Sequence, residues 1–265
     1  MKYSEFKPIE ELSDYIQLIW IMESESVEDY FPKEKILPDG IVEIVFHYEQ
    51  PFITTNYNGK KIKQPKGFAV SQMKHFIEIE SDGKIGFISV RFYPWGAHHF
   101  FKTPIKSFID GTISIKELWP NDYQFVLNEL RNLNDEDKVL FIQDFLLKQF
   151  DPIKYEIVEA IKLIRNSKGK MTIEEISEQT NISYKQLERN FKATIGVTPK
   201  TFSRTTRFLH LCHHLKDYEN KSFTEIAFDL GYYDQAHFIK EFKEFSGLTP
   251  KEYFEKENIC FAEIT

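Results

Sequence analysis

Between Ile182 and Lys216 stand Lys185, Arg189, Lys192, Lys200, Arg204, Arg207 and Lys216 against one acid, Glu188, a local excess of +6 in a chain of net charge -7. Clustered guanidinium and ammonium groups attract phosphate even where the average charge does not. From charge alone, a solvated helical surface is an equally good reading. Catalytic and metal chemistry has less to work with. Asp39, His47, His75, His98 and His99 are acid, base or ligand types, but no two recur at metal-site spacing. His98 and His99, read as neighbours on a strand, point apart. Cys212, His213 and His214 fall on successive positions of an expected helix, which do not converge on one ion. Neither H-E-x-x-H nor a nucleophile elbow is present, and no Gly-rich phosphate loop follows a strand. The two cysteines, Cys212 and Cys260, form no metal-spaced pair and no framework of bridges. We therefore expect no enzyme, no cofactor and no metal site.

The elements that must position the basic cluster follow from patterning. The 265 residues suffice for two domains with their own cores. Residues 1–151 carry 17 Lys plus Arg against 24 Asp plus Glu, whereas residues 152–265 carry 17 of each, so the chain is polarised. "GIVEIVFHY", "HFIEIE" and "KIGFISVRFY" read as strands, with Ser81, Asp82 and Gly83 as a turn, and "LPDG" and "YPWG" add turn chemistry. From about Asn121, apolar residues recur at three and four, and "DEDKVLFIQDFLLKQF" has acids at its helix start. Asp151 with Pro152 marks a boundary that ends one helix and opens the next. The expected fold is a two-domain α+β chain. Residues 1–150 form a mixed, barrel-like β domain, strand-rich to about 118 and helical from about 121. Residues 151–258 are all helical, and 259–265 form a tail. No apolar run approaches 18 residues and no signal segment opens the chain, which points to a cytoplasmic protein away from the membrane.

The helical part repeats itself. "LERNFKATIGVTPK" returns 51 positions later as "FIKEFKEFSGLTPK", pairing Phe191 with Phe242, Gly196 with Gly247 and Pro199 with Pro250. Upstream, "MTIEEISEQTNIS" corresponds to "KSFTEIAFDLGYY" after a one-residue slip. In the first copy Thr172 opens a helix with Glu175 as its capping box, a turn follows at Asn181 and Ile182, and Ser183 caps a second helix to about Thr194. In the second copy Phe223–Leu230 is the supporting helix, Gly231 makes the turn and Asp234–Phe245 is the reading helix. Pro199 to about Tyr218 is the linking helix. Leu187, Phe191, Ile226, Phe238, Phe242 and Phe245 are expected core, and Thr198 and Thr249 cap helices opened by Pro199 and Pro250. Two short helices joined by a tight turn form the helix-turn-helix arrangement, which sets its second helix in the DNA major groove.

From Thr172 to Phe254 the sequence closely resembles the DNA-binding domain of the AraC/XylS family of bacterial transcription regulators. The match includes "LERNFKATIGVTPK", "TRFLHLCHHL" at the linker helix and "IAFDLGYYDQAHFIKEFKEFSGLTPKEYF". The resemblance implies sequence-specific binding of double-stranded DNA by two reading helices in successive major-groove turns. Its base-facing positions fall on Lys185, Glu188 and Arg189, with Tyr184 beside them, and on Gln235, Ala236, Ile239 and Lys240. Arg189 suits guanine O6 and N7, Glu188 suits cytosine N4, Gln235 suits adenine and Ala236 a thymine methyl. Glu188 departs from the neutral residues common there, and Lys240 gives a point charge where Arg is frequent. Contact with phosphate alone, which positions without specifying, stays open for Arg189 and Lys240.

The first part resembles a less characterised, cupin-like sensor type that accompanies this DNA-binding domain, through "YIQLIW", "ILPDGIVEIVF", "VRFYPWGAHHFFKTP" and "LWP". The chain has Ser71 before Gln72 where that pattern has glycine. The resemblance implies a small-molecule effector, with RNA polymerase and a homodimer as further partners. Trp20, Phe92, Tyr93 and Trp95 offer aromatic area for such an effector, although core packing is the preferred reading of these four. Two other readings stand beside an effector-responsive regulator: a DNA-binding protein without an effector, and a protein-interaction adaptor.

Overall fold

The computed structural model describes residues 1–26, 31–153, 157–218 and 220–255. Its strands in chain order are β1 (Lys2–Phe6), β2 (Ile16–Glu23), β3 (Glu34–Ile36), β4 (Glu43–His47), β5 (Ile53–Asn56), β6 (Lys61–Lys63), β7 (Gly67–Val70), β8 (Ile77–Glu80), β9 (Gly86–Phe92) and β10 (Thr112–Ser114). They form a six-stranded sheet, β1-β2-β9-β4-β7-β10, and a four-stranded sheet, β3-β8-β5-β6, with antiparallel pairing throughout.

Strand β9 shows why the larger sheet is buried on both sides. Its side chains alternate between faces, and every one of its seven residues is buried. Ile88, Val90 and Phe92 join Ile19, Ile21, Ile44 and Phe46 in the core under the helices, while Phe87 joins Leu18 and Trp20 in the core beneath the smaller sheet. The helical cover comprises α1 (Ile115–Leu118), α2 (Tyr123–Glu129) and α3 (Asp135–Gln149), through Leu118, Val126, Ile142, Phe145 and Leu146. Asn134 caps α3 at the Asp137 N–H, and three acids occupy its first turn, where the helix dipole favours them.

The second part is all helical: α4 (Val158–Asn166), α5 (Ile173–Thr180), α6 (Tyr184–Thr194), α7 (Pro199–His213), α8 (Phe223–Asp229), α9 (Gln235–Ser246) and α10 (Pro250–Phe254). Leu187 and Phe191 lie with Ile176 in one small core, and Ile226, Phe238, Phe242 and Phe245 lie in another. The two-domain α+β organisation is as expected.

Four local expectations are corrected. His98 and His99 are in a 3-10 turn, Ala97–His99, because β9 stops at Phe92; their rings stand 3.9 Å apart instead of pointing away from each other. Pro152 does not open a helix. Asp151–Ile153 is irregular and tied to that turn, with the Asp151 N–H on the His99 carbonyl (2.8 Å) and the Ile153 N–H on His99 Nδ1 (3.2 Å). Helix α1 falls inside the stretch read as strand. The linking helix ends at His213, where His214 leaves helical backbone, and a 3-10 turn completes Leu215–Tyr218. Cys260 and the tail 259–265 lie outside the described residues.

Candidate nucleic-acid interface

The first unit begins at Thr172. Its hydroxyl accepts from the Glu175 N–H, and the Glu175 carboxylate accepts from the Thr172 N–H (2.8 Å), an arrangement that holds this acid below the usual carboxylate range. Helix α5 closes at Asn181, whose φ of +55° is the left-handed conformation that asparagine tolerates better than most side chains. The Ser177 hydroxyl locks the turn by donating to the Ile182 carbonyl (2.6 Å), and Ser183 caps α6 at the Gln186 N–H. The second unit repeats this with a Ser222–Glu225 capping box, Gly231 at φ +77° in the turn, and Asp234 accepting from the His237 N–H (2.7 Å).

The candidate reading residues occupy matching places. Tyr184, Lys185, Glu188 and Arg189 are 51 positions before Gln235, Ala236, Ile239 and Lys240, and steps of one, three and one keep each set on one side of its helix. Leu187, Asn190, Phe191 and Thr194 turn the other side of α6 inward, as Phe238, Phe242 and Phe245 do for α9. Tyr184, Lys185, Arg189, Ala236 and Lys240 are exposed, whereas Glu188 and Gln235 are half-buried. Ile239 is also half-buried, packed against the second core.

Several of these side chains are held before any ligand arrives. Arg189 Nη2 donates to Gln186 Oε1 (2.5 Å), whose amide in turn donates to buried Asn190 (2.7 Å). Glu188 pairs with Lys192 (3.0 Å), so the acid on the candidate face of α6 carries its own counter-charge. Gln235 Oε1 accepts from the Thr224 hydroxyl on α8 (2.7 Å), leaving its two amide N–H donors and a second lone pair to present.

The +6 footprint divides into surface and interior. Arg204 binds Glu241 (2.6 Å) and Glu244 (2.9 Å), tying α7 to α9, and Glu241, 2% exposed, also accepts from Tyr232 (2.7 Å). Arg207 donates to the carbonyls of Gly169 (3.1 Å) and Gly231 (3.3 Å) and lies over the Tyr232 ring. One arginine thus joins the loop before the first unit to the turn of the second. Charge counting missed these internal roles. It also missed Tyr233, 88% exposed beside the cap of α9; an aromatic adjacent to the expected start of the reading helix was its available signal.

The remaining candidates do not assemble. Trp20 and Phe92 point to opposite faces of the large sheet, while Tyr93 and Trp95 stack on each other, so the four share no pocket. Among the described residues no three His, Cys, Asp or Glu side chains are grouped to hold a metal ion. Cys212 is buried, and burial pushes its thiol up.

Residues 176–256 match the family described as a helix-turn-helix domain, and residues 4–114 match one described as a domain of unknown function (DUF6597). An uncharacterized HTH-type transcriptional regulator of Staphylococcus aureus, SAS0078, is 34% identical over 83 residues, covering 31% of this chain and 11% of the relative. The HTH-type transcriptional regulator MtrA of Neisseria gonorrhoeae is 26% identical over 145 residues, covering 55% of this chain and 46% of the relative. The chain therefore spans about a tenth of the first of these relatives and less than half of the second. Among solved structures, ToxT of Vibrio cholerae bound to (E)-4-(8-methylnaphthalen-1-yl)but-3-enoic acid is similar with a TM-score of 0.46, 12% identity, and coverage of 96% of this chain and 99% of that one.

Proposed function

We propose that this chain is a sequence-specific, double-stranded DNA-binding transcription regulator of the AraC/XylS kind, with residues 151–258 reading DNA and residues 1–150 forming a cupin-like regulatory domain that responds to a small-molecule effector. The observation that carries the DNA reading is the pair of exposed, capped helices α6 and α9, presenting equivalent side chains 51 positions apart within a stretch that matches a helix-turn-helix family. Arg189 addresses guanine in one half-site; Gln235 and Lys240 address the other. Tyr184, Lys185, Glu188, Ala236 and Ile239 line the same two faces. The reading is of a bacterial, cytoplasmic protein whose further partners are RNA polymerase and a second copy of the chain. Among the described residues no helix is long and apolar enough to cross a membrane.

Selection of bound duplexes from a random library by the full-length protein tests this reading, at a stated salt concentration because the phosphate contribution varies steeply with salt. Two short sequence blocks about one helical turn apart are expected. Arg189→Ala should relax one block and Lys240→Ala the other, each by about 1–3 kcal/mol of base discrimination. Absence of any enriched block from folded protein, with and without cell-extract small molecules, would overturn it.

A further inference from the structure

The two repeat copies are gripped at the same place by two different parts of the first domain. Gly196 follows the cap of α6 and Gly247 caps α9, and these glycines are equivalent positions of the repeat. A side chain at Gly247 would run into the ring of Phe76; one at Gly196 would come within 2.6 Å of Ile109 Cδ1 and 3.2 Å of Ile105 Cγ2. Phe76 immediately precedes β8 of the smaller sheet, whereas Ile105 and Ile109 belong to and follow the 3-10 turn Ile105–Phe108.

The grip on α9 is also polar. Lys35, on β3 beside β8, donates to the carbonyl of Ser246 (3.0 Å), and its ammonium stands 4.0 Å from the Phe76 ring centroid. A cation at the carbonyl end of a helix is favoured by the helix dipole and satisfies an acceptor the helix leaves open. Leu37, just beyond β3, is itself part of the second helical core. A third hold lies between the two units, where a Cβ at Gly40 would stand in ordinary packing contact with Phe202 and Thr205 of α7, at 3.4 and 3.7 Å, and Gln72 fixes Gly40 through a hydrogen bond to its carbonyl (2.6 Å). Tyr184, Lys185, Arg189, Ala236 and Lys240 stay exposed with all three holds in place.

We infer that the first domain acts as a jig that fixes the angle between the two reading helices by holding the carboxyl end of each, which makes Lys35, Phe76 and Ile109 positioning residues for DNA reading. The inference rests on the proposed DNA reading. Three separated holds define an orientation that one connecting helix leaves adjustable. The two glycine contacts also come from different elements, so a shift of the smaller sheet against the 3-10 turn changes the angle between readers.

The test uses full-length protein and duplexes carrying both half-site blocks, with the spacer changed one base pair at a time. Each added base pair turns the second block by about 34–36° about the duplex axis. Wild-type protein should bind one spacer best, with a loss of roughly tenfold or more for one base pair either way, in line with the cost of a mismatched site. Phe76→Ala and Ile109→Ala should flatten this profile at least threefold while leaving base preference within each block unchanged. Lys35→Gln, which empties no core, should flatten it too, and Lys35→Arg should restore it. Folded variants with the wild-type spacer profile would overturn the inference alone. Variants that bind every spacer more tightly would also overturn it, because the contacts would then be a brake. Wild-type protein that selects no paired blocks would overturn the DNA reading and this inference with it.

Discussion

In the proposed DNA reading Gln235 would meet a base with one side of its amide already engaged by Thr224, which makes that hydrogen bond worth more as an aiming device than as stability. Thr224→Val keeps the shape of the side chain and removes the donor. It should change the unfolding free energy by less than about 1 kcal/mol, while lowering the preference for adenine opposite α9; binding to duplexes that differ at that base checks it. His47 makes a different kind of prediction. It lies buried between the sheets, with Nε2 3.0 Å from Gln64 Oε1, and burial holds its pKa down at about 4, a shift the Gln64 bond only partly offsets. The unfolded chain takes up this proton near pH 6.5 and the folded chain does not, so stability falls as pH drops from 6.5 toward 4. Between pH 6.5 and 5 the loss from His47 alone should be about 2 kcal/mol. His98, held at about 3 by burial and by His99, acts in the same direction. Urea unfolding at pH 7.5 and pH 5 should therefore show a smaller drop for His47→Gln than for the wild type.

Helices α7 and α9 are joined by a buried carboxylate whose charge needs its partner. Glu241 is shielded from water and held by Arg204 and Tyr232, so Arg204→Ala leaves an acid with one neutral donor and a distant imidazole, His237 at 3.7 Å. The expected loss of stability is of order 3 kcal/mol, more than an exposed ion pair could cause. The double variant Arg204→Met with Glu241→Leu should recover much of it, because exchanging a buried pair for apolar groups of similar volume is often neutral. Thermal unfolding of the three proteins checks the order. At this scale the repeat was readable. The capping box at Thr172, the Asn181 and Gly231 turns and the Thr198 and Thr249 caps are local hydrogen-bonding patterns completed within four residues, so they appear in the string of letters. The premature end of α7 and the irregular Asp151–Ile153 segment were not readable, since each depends on a bond to a distant or competing partner, such as His99 for Ile153.

In the whole molecule the sheets, the helical cover and the two reading units form one continuous set of contacts, and the spacer profile of the Phe76, Ile109 and Lys35 variants measures whether that continuity reaches the DNA. If it does, the proposed effector response would need no separate linkage to α6 and α9, because elements of the first domain already end on both helices. The sequence by itself determined the helical repeat, its caps and the buried side of each candidate reading helix. These follow from periodicity and short-range hydrogen bonding, which act between near neighbours in the chain. Tertiary structure alone decided that Arg204 and Arg207 serve the interior, that His98 and His99 share a turn, that Trp20 and Phe92 part company across a sheet, and that Phe76 meets Gly247. Those outcomes depend on which distant elements come together, and a residue type fits several partners equally well until packing chooses one.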